Sequence, residues 1–271
     1  MDNQKKVNLS GNFKEKIEPK SHFLKKPIPG VKKIIAISSA KGGVGKSSIC
    51  ANLAVALQKK NFSVGILDAD IYGPSIPELF NISDKPSSKD GKNIKPIIAQ
   101  NIKIMSMGFL IDKNSPMIWR GPMVISAIKT FTENVIWGDL DYLLIDLPPG
   151  TGDAILTFTQ QVNLDGSIII TTPQKLSIVD ANRGIEMFKK TKVPILGIIE
   201  NMSYIENKSQ KIYPFGNGGV EELSKNHDLQ ILGKIKLDES FNKCCEEGIV
   251  FENLNSDIKE IFTEMSKAIS S

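Results

Sequence analysis

Cysteine is scarce in this chain, with three in 271 residues, at positions 50, 244 and 245. Neighbouring cysteines pair only with strain, so these three build no disulfide framework, and a reducing compartment is expected. Histidine is scarcer still: His22 and His227 both lie far in sequence from the motifs below, which argues against histidine-based catalysis. Long apolar runs are missing too. Stretches such as YLLID and SIIITT fall well short of the roughly 20 residues that span a bilayer, and the opening MDNQKKVNLSGNF has no apolar signal core. Nor does one charge dominate, since 34 Lys and Arg against 30 Asp and Glu give a net +4, with both signs interspersed. Such a weak overall field marks neither a nucleic-acid nor a membrane binder. A cytoplasmic protein with no membrane or nucleic-acid partner is expected, and its function must be sought in local sites.

The 41% hydrophobic content is enough for one large core. Residues 1–30 are polar and lysine-rich, with Pro19, Pro27 and Pro29, and read as an arm or linker; residues 31–271 read as one folded domain. Within it, short β-branched runs alternate with helical patterns: KIIAIS, a helix over 46–60, SVGILD, IKIMSM, a helix over 122–137, YLLID, a helix over 153–162, SIIITT, a helix over 176–190, PILGIIE and ILGKI. This alternation predicts an α/β fold with a mostly parallel sheet flanked by helices. The polar SDKPSSKDGKNIK reads as an exposed insertion with an Asp90-Gly91 turn. A final helix near Ile258–Ile269 carries an apolar stripe and a mixed-charge opposite face, the pattern of core packing rather than membrane binding.

Directly after the first strand comes AKGGVGKSS, comprising Ala40, Lys41, Gly42, Gly43, Val44, Gly45, Lys46, Ser47 and Ser48. Read as G-x-x-x-x-G-K-[ST], the pattern has Ala40 in place of its first glycine. Gly42, Gly43 and Gly45 still allow successive N–H groups to face one concavity at a helix N-terminus, where partial positive charge favours phosphate. Lys46 is placed to reach the β- and γ-phosphates and Ser47 to ligate Mg²⁺. A P-loop that binds ATP and Mg²⁺ is therefore expected. Two further segments supply carboxylates. ILDADIYGPSIP places Asp68 and Asp70 at a strand end, two apart and able to face one ion and its waters. DYLLIDLPPGTGD ends an apolar strand in Asp146, which suits Mg²⁺ bound through water, and follows it with glycines that suit a switch loop.

The K-G-G-x-G-K-S pattern, with its additional Lys41, resembles the deviant Walker A of the MinD/ParA/Mrp group of P-loop ATPases. LDADIYGPSIP, WRGPM, WGDLDYLLIDLPPGTGD, TTPQ and ENMSY follow in the order and spacing of the Mrp/ApbC family of iron–sulfur cluster carrier ATPases, and the similarity covers about Pro29 to the C-terminus. The resemblance implies an ATP hydrolase, slow and dependent on dimerisation, that passes iron–sulfur clusters to apoproteins. It implies that Lys41 reaches across a homodimer to the partner's phosphates and joins Lys46 and Asp70 in catalysis. Asp70 would orient the attacking water, Asp68 would support the Mg²⁺ shell with Ser47 and Asp146, and Asn201 would contact the adenine. The chain departs from the family after NMSY, where the usual C-P-x-C pair is replaced by IENKSQKIY. Cys50 is spaced for core packing, leaving Cys244 and Cys245 as candidate thiolates for any cluster. A positioning switch of the MinD/ParA kind, acting at membrane or DNA, is the alternative.

Overall fold

The computed structural model describes residues 25, 27–71, 73–88, 90–110, 121–208 and 210–270. Most of the expected arm therefore lies outside the described residues, as do Trp119 and Arg120 of WRGPM. In chain order the elements are β1 (Val31–Ser38), α1 (Lys46–Lys59), β2 (Val64–Asp68), α2 (Ile76–Leu79), β3 (Ser87–Ser88), β4 (Ile94–Lys95), β5 (Ile97–Ala99), β6 (Ile102–Ser106), α3 (Gly121–Lys129), β7 (Leu140–Asp146), α4 (Asp153–Gln161), β8 (Gly166–Thr171), α5 (Lys175–Lys190), β9 (Ile195–Glu200), β10 (Ile205–Asn207), β11 (Gln210–Ile212), α6 (Gly219–His227), β12 (Ile231–Lys234), α7 (Glu239–Glu247) and α8 (Ser256–Ser270).

Eight strands form one sheet in the order β12-β9-β8-β1-β7-β2-β6-β5, parallel except for β5, which pairs antiparallel with β6. Helices cover both faces, so successive residues of a strand serve different cores. Along β1, Ile35 and Ile37 pack with Ile49 and Leu53 of α1 and Phe262 and Met265 of α8. Ile34 and Ala36 pack on the other face with Phe158 of α4 and Ile185 and Phe188 of α5. This two-faced burial is why the strands read as continuous apolar runs rather than alternating ones. The α8 stripe, Ile258, Phe262, Met265 and Ile269, is buried against that first core.

The expected helix over 122–137 is shorter than its periodicity suggested. Regular α-helix stops at Lys129, a wider π-type turn covers Thr130–Asn134, and Val135 is extended. The wider turn seats Phe131 in the core and brings its carbonyl to the indole nitrogen of Trp137, which donates to it at 2.9 Å. The SDKPSSKDGKNIK segment is exposed for most of its length and carries the small β3–β4 pair.

Trp137 is almost fully buried beside Gly65, where even a methyl group would meet its ring. Trp137→Ala is expected to lower stability by about 3–5 kcal/mol, read from the urea midpoint at unchanged slope.

Candidate nucleotide site

The parallel register brings the site together. Asp146 ends β7, opposite Ile37 of β1 on one side and Asp68 of β2 on the other. The chain leaving β1 then turns through the glycine loop into α1. Gly43 (φ 78°) and Gly45 (φ 83°) both adopt the left-handed backbone that L side chains rarely take. At Gly42 and Gly43 an added Cβ would meet nothing within 4 Å, whereas at Gly45 it would lie 2.3 Å from Nδ2 of Asn201. That amide donates to the carbonyl of Val44 at 2.9 Å, while the Asn201 N–H is bound by Thr171. The loop is thus braced from beneath by the end of β9.

Inside the loop Lys46 is buried, its Nζ 2.6 Å from Oδ1 of Asp146 and 3.8 Å from Oδ2 of Asp70. Ser47 Oγ donates to the other Asp146 oxygen at 2.5 Å. Burial works against the Lys46 charge, but Asp146, with Asp70 and Asp68 behind it, outweighs burial and raises its pKa. Burial raises the Asp146 carboxyl, opposed by Lys46 and Ser47. Asp68 is pushed up to about 7, first by burial and then by the Asp146 charge. Its oxygens accept from the N–H groups of Asp70 (3.2 Å) and Ile76 (3.1 Å) and from Ser106 Oγ (2.9 Å). Asp68 therefore reaches the site with its lone pairs engaged in holding the 69–76 segment. Asp70 accepts from the N–H of Gly73. Hydroxyl and carboxylate oxygens are the donors Mg²⁺ prefers, and a divalent cation would offset the crowding of two buried acids; Ser47 and Asp146 fit that role.

The two lysines of the loop differ. Lys41 is exposed and turned away from the carboxylates, its Nζ 3.4 Å from Oε1 of Gln174 at the start of α5. Gln174 was visible in the sequence only as part of TTPQ. Sequence reasoning also missed a brace: Gly150 N–H donates to the Ser39 carbonyl at 2.9 Å, tying the Pro-Pro-Gly turn to the loop.

The thiols do not form a surface pair. Cys50 and Cys244 are buried in the core, Cys245 is half-buried, and burial raises the pKa of all three. Among the described residues, no group of three or more His, Cys, Asp or Glu could hold a metal ion. Instead of a thiolate loop after Tyr204 there is the β10–β11 hairpin.

Gly45→Ala is expected to destabilise through both its left-handed backbone and the clash with Asn201. Asn201→Ala should cost about 1–3 kcal/mol by leaving the Val44 carbonyl without its donor. Because the two changes share one contact, the double variant should be more stable than the sum predicts by at least about 0.5 kcal/mol. Additive losses in urea unfolding would refute the brace.

Several known proteins are similar to this chain. Residues 30–270 match the family model described as the ParA-type NUBPL iron-transfer P-loop NTPase. The chain is 42% identical over 254 residues to an iron-sulfur cluster carrier protein of Aquifex aeolicus, covering 92% of this chain and 70% of that one. It is 43% identical over 272 residues to a protein of the same name from Pseudomonas fragi, covering 96% and 95%. A nucleotide-binding protein from Archaeoglobus fulgidus, solved in complex with ADP and with cobalt found, superposes with a TM-score of 0.73 at 40% identity, covering 83% of this chain and 90% of that one. The chain belongs to the NUBPL family of iron-transfer P-loop NTPases.

Proposed function

We propose that this protein is an ATP-hydrolysing iron–sulfur cluster carrier that works as a homodimer and delivers clusters to apoproteins. The convergence of Lys46, Ser47, Asp146 and Asp70 beneath a left-handed glycine loop carries the reading. The loop's N–H groups, the α1 N-terminus and the Lys46 ammonium bind the phosphates; Ser47 and Asp146 hold Mg²⁺, with Asp68 fixing the strand end beside them. When bound, Mg²⁺ neutralises charge on the β- and γ-oxygens. Asp70 orients the attacking water. Lys41, exposed at the rim, serves the partner's phosphates and couples turnover to dimerisation, which keeps the isolated chain slow. Asn201 braces the loop from the side on which the adenine lies.

In the alternative of a positioning switch, α8 would offer an apolar face to a membrane. That face is buried in the core, and among the described residues no helix is long and apolar enough to cross one. The cluster is cargo, and with two thiols buried and one half-buried it is held loosely or completed by the client or a small thiol.

Lys46→Ala is expected to abolish ATP binding, because it strips the cation from the phosphate cradle and leaves Asp146 facing the anion. Lys41→Ala should bind ATP as the parent does and lose ATP-dependent dimerisation in sedimentation. Asp70→Ala should lose roughly 10²-fold in kcat with ATP affinity retained; loss of binding alone would contradict the water-orienting role. The function itself is tested by anaerobic loading with iron and sulfide, followed by transfer to an apo four-iron protein. Faster activation than by free iron and sulfide, lost in Lys46→Ala, is expected, and equal rates would overturn the carrier reading. A stable four-iron centre that survives Cys244→Ser/Cys245→Ser would refute the account of its ligands.

A further inference from the structure

The β10–β11 hairpin is left unused by the nucleotide chemistry, and its two edges differ. On the β10 side, the Tyr204 carbonyl accepts from Leu237 N–H at 2.8 Å, and Glu206 pairs with Lys236 at 3.0 Å. Lys236 is anchored in turn by Asp257 at 2.7 Å and Asp238 at 3.6 Å, at the starts of α8 and α7. That edge is fastened to the body. The β11 edge is not: Gln210, Lys211 and Ile212 are all exposed.

The register fixes which groups the open edge presents. Pairing runs Asn207 with Gln210, Glu206 with Lys211, and Ile205 with Ile212, with two residues in the turn and Lys208 left-handed. In a two-residue hairpin the closing pair is hydrogen-bonded and the pairs then alternate, so Glu206 and Lys211 form the non-bonded pair. The N–H and carbonyl of Lys211 therefore point outward, and among the described residues no backbone group outside the hairpin meets them. Next to them along the chain lie Ile212 (48% exposed) and Tyr213 (39%). The charge is one-sided, because Glu206 is engaged by Lys236 while Lys208 and Lys211 are presented, the latter over the Tyr204 ring at 4.3 Å.

We infer that β11 is a docking edge for an extended segment of a partner protein, with acidic and apolar residues in alternation, added as a third antiparallel or parallel strand. Lys211 and Ile212 face opposite sides of the hairpin, so a paired strand meets a cation on one side and apolar surface on the other. Main-chain bonds to Lys211 supply affinity, and the alternation supplies selectivity. An exposed edge otherwise invites indiscriminate pairing, and the lysines favour acidic strands over neutral ones. This surface is separate from the glycine loop, and the inference holds irrespective of ATP hydrolysis or cluster transfer.

The experiment titrates the full-length, nucleotide-free protein into a fluorescein-labelled octapeptide of alternating valine and glutamate, followed by anisotropy. Saturable binding is expected, with slowed amide exchange at Lys211, while the valine–lysine counterpart does not bind. Lys211→Pro removes the outward N–H and leaves both bonded pairs of the hairpin in place, and should weaken binding roughly tenfold or more. Lys208→Glu/Lys211→Glu should weaken it at least as far, and decides the matter if circular dichroism shows that the proline variant has not folded. Absence of binding, equal binding of both peptides, unchanged affinity in the charge-reversed variant, or self-association through β11 in place of peptide binding would overturn the inference.

Discussion

The ammonium of Lys46 lies 2.6 Å from the Asp146 carboxylate, shielded from water, and the rest of the site is arranged around that contact. Neither charge could be buried alone. An unpaired ion there would cost several kcal/mol, so loop and strand must be formed together or not at all. A phosphate would compete for the same ammonium, and Asp146 would turn toward a metal with Ser47. The pairing thus keeps both side chains close to where phosphate and metal would meet them.

That pairing depends on elements remote in sequence. Asn201 follows β9 and holds Val44, and Gly150 reaches Ser39. The glycine loop is therefore held by the residue after β9 and by the Pro-Pro-Gly turn, and at its exposed end Lys41 lies against Gln174. The same separation of held and open surfaces recurs at the hairpin, where Lys236 secures one edge and leaves the other exposed.

The buried strands, the glycine loop, Asp68, Asp70 and Asp146 were all legible in the sequence, because each depends on a local pattern: an apolar run, a glycine spacing, an acid at a strand end. What was not legible depends on packing between distant segments. The π-type turn after Lys129 keeps a helical periodicity while changing which residues face inward, so the pattern ran on to Trp137. The β5 strand was missed because it is only three residues long; the left-handed Gln100 and Asn101 that turn it back into β6 were its one local sign. α7 is short and polar, and its Asp238 cap and left-handed Gly248 stop mean little without knowing that Cys244 packs inward. Cys50 was legible as a core residue from its spacing on α1, whereas adjacency alone says nothing of which of Cys244 and Cys245 is buried. Asp68 looked like a metal ligand by position, and only its three donors reveal that it also anchors a turn.

Placing the glycine loop on β1 has a dynamic consequence. β1 is fourth of eight strands, paired with β7 from Val31 to Ile37 and with β8 from Ile35 to Ser38, and buried from Ile34 onward. A strand so enclosed opens only when its neighbours release it, so its amides exchange with solvent through near-global unfolding. Ligand binding at such a strand slows exchange across the whole central sheet rather than in one loop, whereas the β5 edge and the hairpin exchange through openings of their own. The molecule thereby separates a foundation that moves only as a unit from a periphery free to breathe while the site stays intact.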